Sequence, residues 1–166
     1  FRTMSGELTV WKDGPLLVMD FPSRPGQPTV APESLISGLG RNLDEVQKAR
    51  DYLVVLKTQE EVLELQPDFA RLAEVECTGI IVTAPGDEVD FVSRFFAPQA
   101  GVPEDPVTGS AHSTLTPYWA ERLGKNALAA RQVSARGGEL WCRQVENRVH
   151  IAGQAALYIK GFLSAD

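Results

Sequence analysis

The nine residues from Glu104 to His112, EDPVTGSAH, bring together two carboxylates, two hydroxyls, a glycine and an imidazole directly before a stretch of helical character. The first N–H groups of a helix have no intrahelical partner and carry a partial positive charge, so they attract anions. Gly109 lets a ligand approach the backbone of Gly109, Ser110 and Ala111 closely. The Ser110 hydroxyl adds a donor. This pattern predicts a binding site for a small carboxylate.

Asp105 adds a carboxylate just upstream, which can accept a hydrogen bond from a substrate amine or hydroxyl, or move a proton. Each residue also has a simpler interpretation, and the residues alone leave both open. Asp105 can cap a turn, and Thr108 can cap the helix. Glu104 can be a surface charge, Ser110 an ordinary first-turn serine and His112 a packed or hydrogen-bonded histidine.

The helix that follows is predicted over about 109–124, and its pattern indicates burial. Leu115, Tyr118, Trp119 and Leu123 form an apolar stripe at helical spacing. The remaining sides carry small, weakly polar residues, with charge only at the end. A helix exposed to solvent normally carries charge along one whole side, so this helix is expected inside a curled sheet. The small residues are Ser110, Ala111, Ser113, Thr114, Thr116 and Ala120.

The rest of the chain predicts an α+β fold with a mostly antiparallel, barrel-like sheet around that central helix. A hairpin is expected over 1–22, with a turn at KDG (12–14), followed by a proline-rich loop over 22–32. Short helices are expected near 32–40 and, as one or two helices, after Thr58. Strands are expected at 52–57, 79–84 and 90–96, and three β-rich runs after residue 130 form a meander separated by RGG and EN.

Composition excludes several classes of function. The 166 residues have a net charge of −6 and no Lys/Arg cluster, which argues against nucleic acid or an acidic membrane as the partner. No apolar run approaches the length of a membrane span, and the first ten residues are not a signal peptide. The cysteines (Cys77, Cys142) and histidines (His112, His150) lack metal-ligand spacing, and no phosphate-binding loop is present. A cytoplasmic protein without metal or cofactor is expected. Because Phe1 stands in place of an initiator Met, the start of the gene product stays open.

The stretch from Arg94 to Lys125, with EDPVTGSAH at its core, resembles the signature region of the phenazine biosynthesis PhzF-like family, relatives of diaminopimelate epimerase. Four further stretches are also similar to the family pattern: FRTMSGELTV (1–10), GIIVTA (79–84), QVSARGGEL (132–140) and VHIAGQAALYIKGFL (149–163). The match covers nearly all of 1–166 but only the second half of the family pattern. The resemblance implies two lobes, each a sheet wrapped around a helix, with the active site in the cleft between them. Residues 1–166 would be the second lobe of a homodimeric protein, and the first lobe is absent from this chain.

The resemblance also implies roles for the residues of the signature. Asp105 and Ser110 are expected to be catalytic, and a second group is expected to bind substrate: Glu104, Thr108, Gly109, Ala111 and His112. The family's proton-shuttling glutamate and its CGHAT-like helix start belong to the first lobe and do not occur here. Ser113 stands where the family often has a cysteine, and Cys77 and Cys142 are interpreted as structural.

Three functions follow from these residues and the resemblance. The leading hypothesis is a PhzF-like isomerase that transfers a proton on a small cyclic or amino carboxylic acid without a cofactor. The second is a non-catalytic protein that binds a small carboxylate. The third is a structural half-domain that dimerises to rebuild a two-lobed cleft.

Overall fold

The computed structural model describes residues 2–3 and 6–162. The strands are β1 (Arg2–Thr3), β2 (Gly6–Glu7), β3 (Thr9–Asp13), β4 (Leu16–Pro22), β5 (Gln27–Pro28), β6 (Glu45–Lys48), β7 (Tyr52–Val55), β8 (Ile80–Pro85), β9 (Phe91–Phe96), β10 (Ala127–Gln132), β11 (Gly138–Val145) and β12 (Arg148–Gly153). The helices are α1 (Glu33–Leu39), α2 (Gln59–Leu63), α3 (Phe69–Leu72) and α4 (His112–Leu123), with 3₁₀ turns at Pro98–Ala100 and Gly109–Ala111.

Ten strands form one sheet in the order β3-β4-β12-β11-β10-β9-β8-β7-β6-β5, and β1 pairs separately with β2. The pairs β7–β8 and β9–β10 are parallel, and the other neighbours are antiparallel. Each parallel pair is joined by a crossover that contains helices, as parallel strands require. The predicted α+β class and the mostly antiparallel sheet are confirmed.

Local signals placed most elements correctly. Gly14 makes the turn of the β3–β4 hairpin with φ 56°, and Gly40 ends α1 with φ 65°. Thr58 opens α2 through a capping box with Glu61. The meander is β10, β11 and β12, with Gly137 in the left-handed region at its first turn. Strand β6 was not predicted, because Val46 is its one buried residue and its polar sequence shows no alternation.

Helix α4 lies in the curl of the sheet, as its small residues predicted. Its buried side chains pack with residues from seven strands, from β4 through β12, β11, β10, β9 and β8 to β7. Trp119 is 1% exposed, stacks on Phe91 and donates its indole N–H to Thr83 Oγ1 at 3.0 Å. Leu123 is the exception in the predicted stripe: it is 42% exposed, because the last turn of α4 leaves the core.

The opposite face of β7, β8 and β9 is covered by α1, α2 and α3. A second core forms there, which includes Leu35, Leu72, Val54 and Phe96. These three strands therefore contribute alternate residues to two cores, one around α4 and one beneath the short helices. They also provide the rigid support from which the segment 104–112 emerges.

Candidate functional site

One buried glutamine holds the segment that precedes α4. Gln132, at the end of β10, is 0% exposed. Its Nε2 donates to the Asp105 carbonyl at 2.6 Å, and its Oε1 accepts from the Thr108 N–H at 2.7 Å. The Asp105 N–H donates to the Phe95 carbonyl of β9 at 3.0 Å. Two strands thus fix the backbone that carries Asp105.

Asp105 has one carboxylate oxygen free for a ligand. Oδ2 accepts from the Thr108 hydroxyl at 2.6 Å, while Oδ1 has no protein partner among residues 2–3 and 6–162. Thr108 directly precedes the 3₁₀ turn, but its side chain makes no capping hydrogen bond. Its hydroxyl orients Asp105 instead, so the capping interpretation of Thr108 is wrong.

Gly109, Ser110 and Ala111 form the 3₁₀ turn that leads into α4. Gly109 lines a cavity of about 930 Å³ whose walls include the apolar side chains of Met19 and Leu140. Because the first N–H groups of a helical segment lack intrahelical partners, this turn offers donors to an anion. Ala111 itself is buried at 1% exposure, so its side chain belongs to the core.

Two arginines lie near this turn. Arg50, in the turn between β6 and β7, donates from Nη2 to Ser110 Oγ at 3.2 Å. Arg136 lines the same cavity as Gly109 and has no ion-pair partner in the described part of the chain. The sequence gives no local signal for Arg50, which is 60 positions from Ser110 in the chain.

His112 lies behind the turn in the core. It is 0% exposed, its Nδ1 lies 3.0 Å from the Thr108 carbonyl, and its ring packs near Phe91. Burial lowers the pKa of His112 to about 4. The imidazole is therefore neutral at pH 7, donates from Nδ1 to Thr108, and does not line the cavity beside Gly109. This placement favours a positioning role over substrate contact.

Glu104 also lies behind the site. Both of its carboxylate oxygens accept from the Arg94 guanidinium, at 2.8 and 2.9 Å. Arg94 donates further to the carbonyls of Val62 and Leu65, next to α2. Glu104 therefore ties the segment to the second core, and the geometry favours anchoring over substrate contact.

Neither cysteine lines the cavity beside Gly109, and burial disfavours the thiolate in both. Burial raises the pKa of Cys77 to about 11 and that of Cys142 to about 12. Within the described ranges no cluster of His, Cys, Asp and Glu has the geometry for a metal ion. Likewise, none of the described helices is long and apolar enough to cross a membrane.

Of the seven predicted site residues, the structure brings Asp105, Thr108, Gly109 and Ser110 together at the start of α4. Asp105 Oδ1 is an acceptor without a partner among the described residues, and Ser110 supplies a hydroxyl. The turn supplies backbone donors, and Gly109 is the residue of this group that lines the cavity. Such a set can bind a carboxylate at the donors and hold an amine or hydroxyl at the acceptor.

Comparisons with known proteins agree with the fold. A solved PhzF-family phenazine biosynthesis protein from Enterococcus faecalis superposes with a TM-score of 0.90 and 44% identity, covering 97% of this chain and 62% of that structure. A predicted epimerase from Pseudomonas aeruginosa superposes at 0.63 with 15% identity, covering 96% of this chain and 63% of that one. The latter shows a likeness of fold alone.

An uncharacterized isomerase from Pseudomonas aeruginosa is 51% identical over 163 residues, which cover 98% of this chain and 63% of the relative. The chain thus spans less than two thirds of the length of the relatives it matches. The family model described as "Phenazine biosynthesis-like protein" matches residues 43–161, which include the whole segment before α4. On this match and this identity, the chain belongs to the phenazine biosynthesis-like protein family.

Proposed function

We propose that this chain forms one wall of an isomerase active site that moves a proton on a small carboxylic acid. The single observation that carries the proposal is the free Oδ1 of Asp105, next to the unpaired donors of the turn at Gly109 and Ser110. The name of the relative, an uncharacterized isomerase, supports the reaction class.

In this mechanism the substrate carboxylate binds at the N–H groups near Gly109 and at the Ser110 hydroxyl. These donors stabilise the negative charge that develops as a C–H proton leaves the neighbouring carbon. Asp105 Oδ1 accepts a hydrogen bond from the substrate's amino or hydroxyl group and fixes its orientation. A glutamate on the lobe outside this chain takes the proton and returns it to another position or face, so no cofactor takes part in the step.

A solvent-exchange experiment in the complete protein tests this reaction. Candidate amino and cyclic carboxylic acids are incubated in deuterated water, and mass spectrometry follows deuterium that replaces the transferred proton. Asp105→Asn is expected to lower the exchange rate by about 10²-fold, because the substrate is no longer held in the orientation that proton transfer requires. Ser110→Ala is expected to weaken binding by roughly tenfold, the value of one charge-assisted hydrogen bond.

Asp44→Asn is the matched control, because Asp44 is exposed, forms its ion pair within the described residues with Lys57, and does not line the cavity beside Gly109. It should exchange like the wild type. If Asp105→Asn and Ser110→Ala both kept the exchange rate and the substrate affinity of the wild type, the site assignment would be overturned.

A second function, binding of a small carboxylate without turnover, is favoured by one observation on this chain alone. Among the described residues at the turn, none is left to take the substrate's proton, since Asp105 orients the substrate, His112 is buried and neutral, and Glu104 is paired with Arg94. Amide chemical shifts of residues 109–111 titrated with benzoate test this binding. If benzoate shifted these amide signals while the complete protein exchanged no deuterium into the candidate acids, the binding function would be favoured.

A further inference from the structure

Arg50 is held beside the candidate site by a buried carboxylate. Asp51 is 1% exposed, and its two oxygens accept from Arg50 Nε at 3.2 Å and from Nη2 at 2.8 Å. The turn is closed by a hydrogen bond from the Ala49 N–H to the Asp51 carbonyl at 3.0 Å. A buried carboxylate is stable only when it is paired, so Asp51 fixes the position of the Arg50 guanidinium.

Arg50 determines which hydrogen-bonding role remains for Ser110. A hydroxyl has one proton to donate and two lone pairs to accept with. Arg50 Nη2 donates to Ser110 Oγ, and the Ser110 proton has no acceptor among the described residues. The positive charge on the lone-pair side also makes the O–H a stronger donor. Ser110 is thereby directed to donate to a ligand.

Asp105 has the opposite polarity. Because the Thr108 hydroxyl donates to Oδ2, the free Oδ1 remains an acceptor. The site therefore has a donor end at Ser110 and Gly109 and an acceptor end at Asp105.

We propose that Arg50, fixed by Asp51, is a positioning residue that makes Ser110 a dedicated donor to an anionic oxygen and so selects carboxylates over their neutral amides. The substrate carboxylate lies against Ser110, and its amino or hydroxyl group faces Asp105. The selectivity for carboxylates rests on the proposed function. The effect of the Arg50 guanidinium on the side chain at position 110, called the coupling below, does not.

A thiol at position 110 measures the coupling without any ligand. In Ser110→Cys, the guanidinium and the helix start both lower the pKa of the new thiol. Burial raises the pKa of Cys77 to about 11 and of Cys142 to about 12, so neither reacts appreciably at pH 7. Adding Arg50→Gln and Asp51→Asn together removes the ion pair without leaving a buried charge. Alkylation by iodoacetamide is expected to slow about three- to tenfold, and an unchanged rate would overturn the proposal.

Ligand selectivity is the second measurement, with Ser110 intact. Benzoate and benzamide are titrated against the amide shifts of residues 109–111, and the overall amide spectrum verifies folding. Wild type should prefer benzoate, and Arg50→Gln with Asp51→Asn should lower that preference about tenfold. A preference that survives the double substitution overturns the role of Arg50 and leaves the proposed function standing. Failure of both probes to bind wild type overturns the proposed function and the selectivity together.

Discussion

At the scale of single residues, His112 shows how burial changes the expected chemistry. A histidine in a polar segment at the start of a helix can act as an acid or a base. His112, however, has no exposed surface, and burial lowers its pKa to about 4. Its Nε2 has no hydrogen-bond partner, so protonation would place an unpaired charge in the core. The imidazole serves as a neutral donor to the Thr108 carbonyl, which helps to shape the turn.

This burial predicts a pH dependence of stability. The pKa of His112 falls from 6.5 to about 4 on folding, so the unfolded chain binds the proton more readily. The stability from this group is complete above pH 6.5 and is lost as the pH falls from 6.5 towards 4. At pH 5 the loss is about 2 kcal/mol relative to pH 7.5. Urea unfolding at several pH values measures it.

The control is His112→Asn, which retains a side-chain donor for the Thr108 carbonyl but does not titrate. Its free energy of unfolding should change less between pH 7.5 and 5 than that of the wild type, although its absolute stability is lower. Parallel pH profiles for the two proteins would show that His112 is not the titrating group.

At the scale of elements, the segment before α4 depends on strand β10 through Gln132. Replacing Gln132 with Leu keeps the volume but leaves the Thr108 N–H and the Asp105 carbonyl without their partner. Two unsatisfied backbone groups are expected to cost about 2–5 kcal/mol in the free energy of unfolding. The Thr108 amide should also exchange faster with solvent. Urea unfolding and hydrogen exchange measure the two effects.

Gln144→Leu provides the comparison, because Gln144 donates to the Glu146 carbonyl and Ser23 in a half-exposed position away from the site. Its cost should stay below about 1 kcal/mol. If the two substitutions lowered the free energy of unfolding equally, the hydrogen bonds of Gln132 to Asp105 and Thr108 would contribute no more than those of an ordinary surface glutamine.

These elements also show what a sequence can predict. The burial of α4 followed from its small residues, and the turns at Gly14 and Gly40 followed from local chemistry. Contacts between residues distant in the chain could not be predicted from such local patterns. Gln132 lies 24 positions from Thr108, and no local pattern indicates that this glutamine bonds the segment before α4. Asp105 and Ser110 could be proposed from the sequence because they lie in one short polar segment directly before a helix.

At the scale of the whole molecule, the two cores are joined through the same strands. Leu53, Ile81 and Phe91 face α4, while Val54, Val82 and Val92 face the short helices from the same β7, β8 and β9. Neither core can lose its packing without disturbing strands that complete the other. The site at the start of α4 therefore depends on both cores, and Glu104 reinforces this link through Arg94.

This sharing predicts one cooperative unfolding transition. Leu115 belongs to the core around α4 and Leu35 to the core beneath the short helices, and each is 0% exposed. Leu115→Ala and Leu35→Ala are each expected to cost about 2–5 kcal/mol. In both variants, unfolding in urea is followed by tryptophan fluorescence, whose change is dominated by Trp119, and by far-UV circular dichroism. The two unfolding curves should coincide. If Leu35→Ala lowered the circular dichroism midpoint alone, the cores would unfold separately, and the site would depend only on the core around α4.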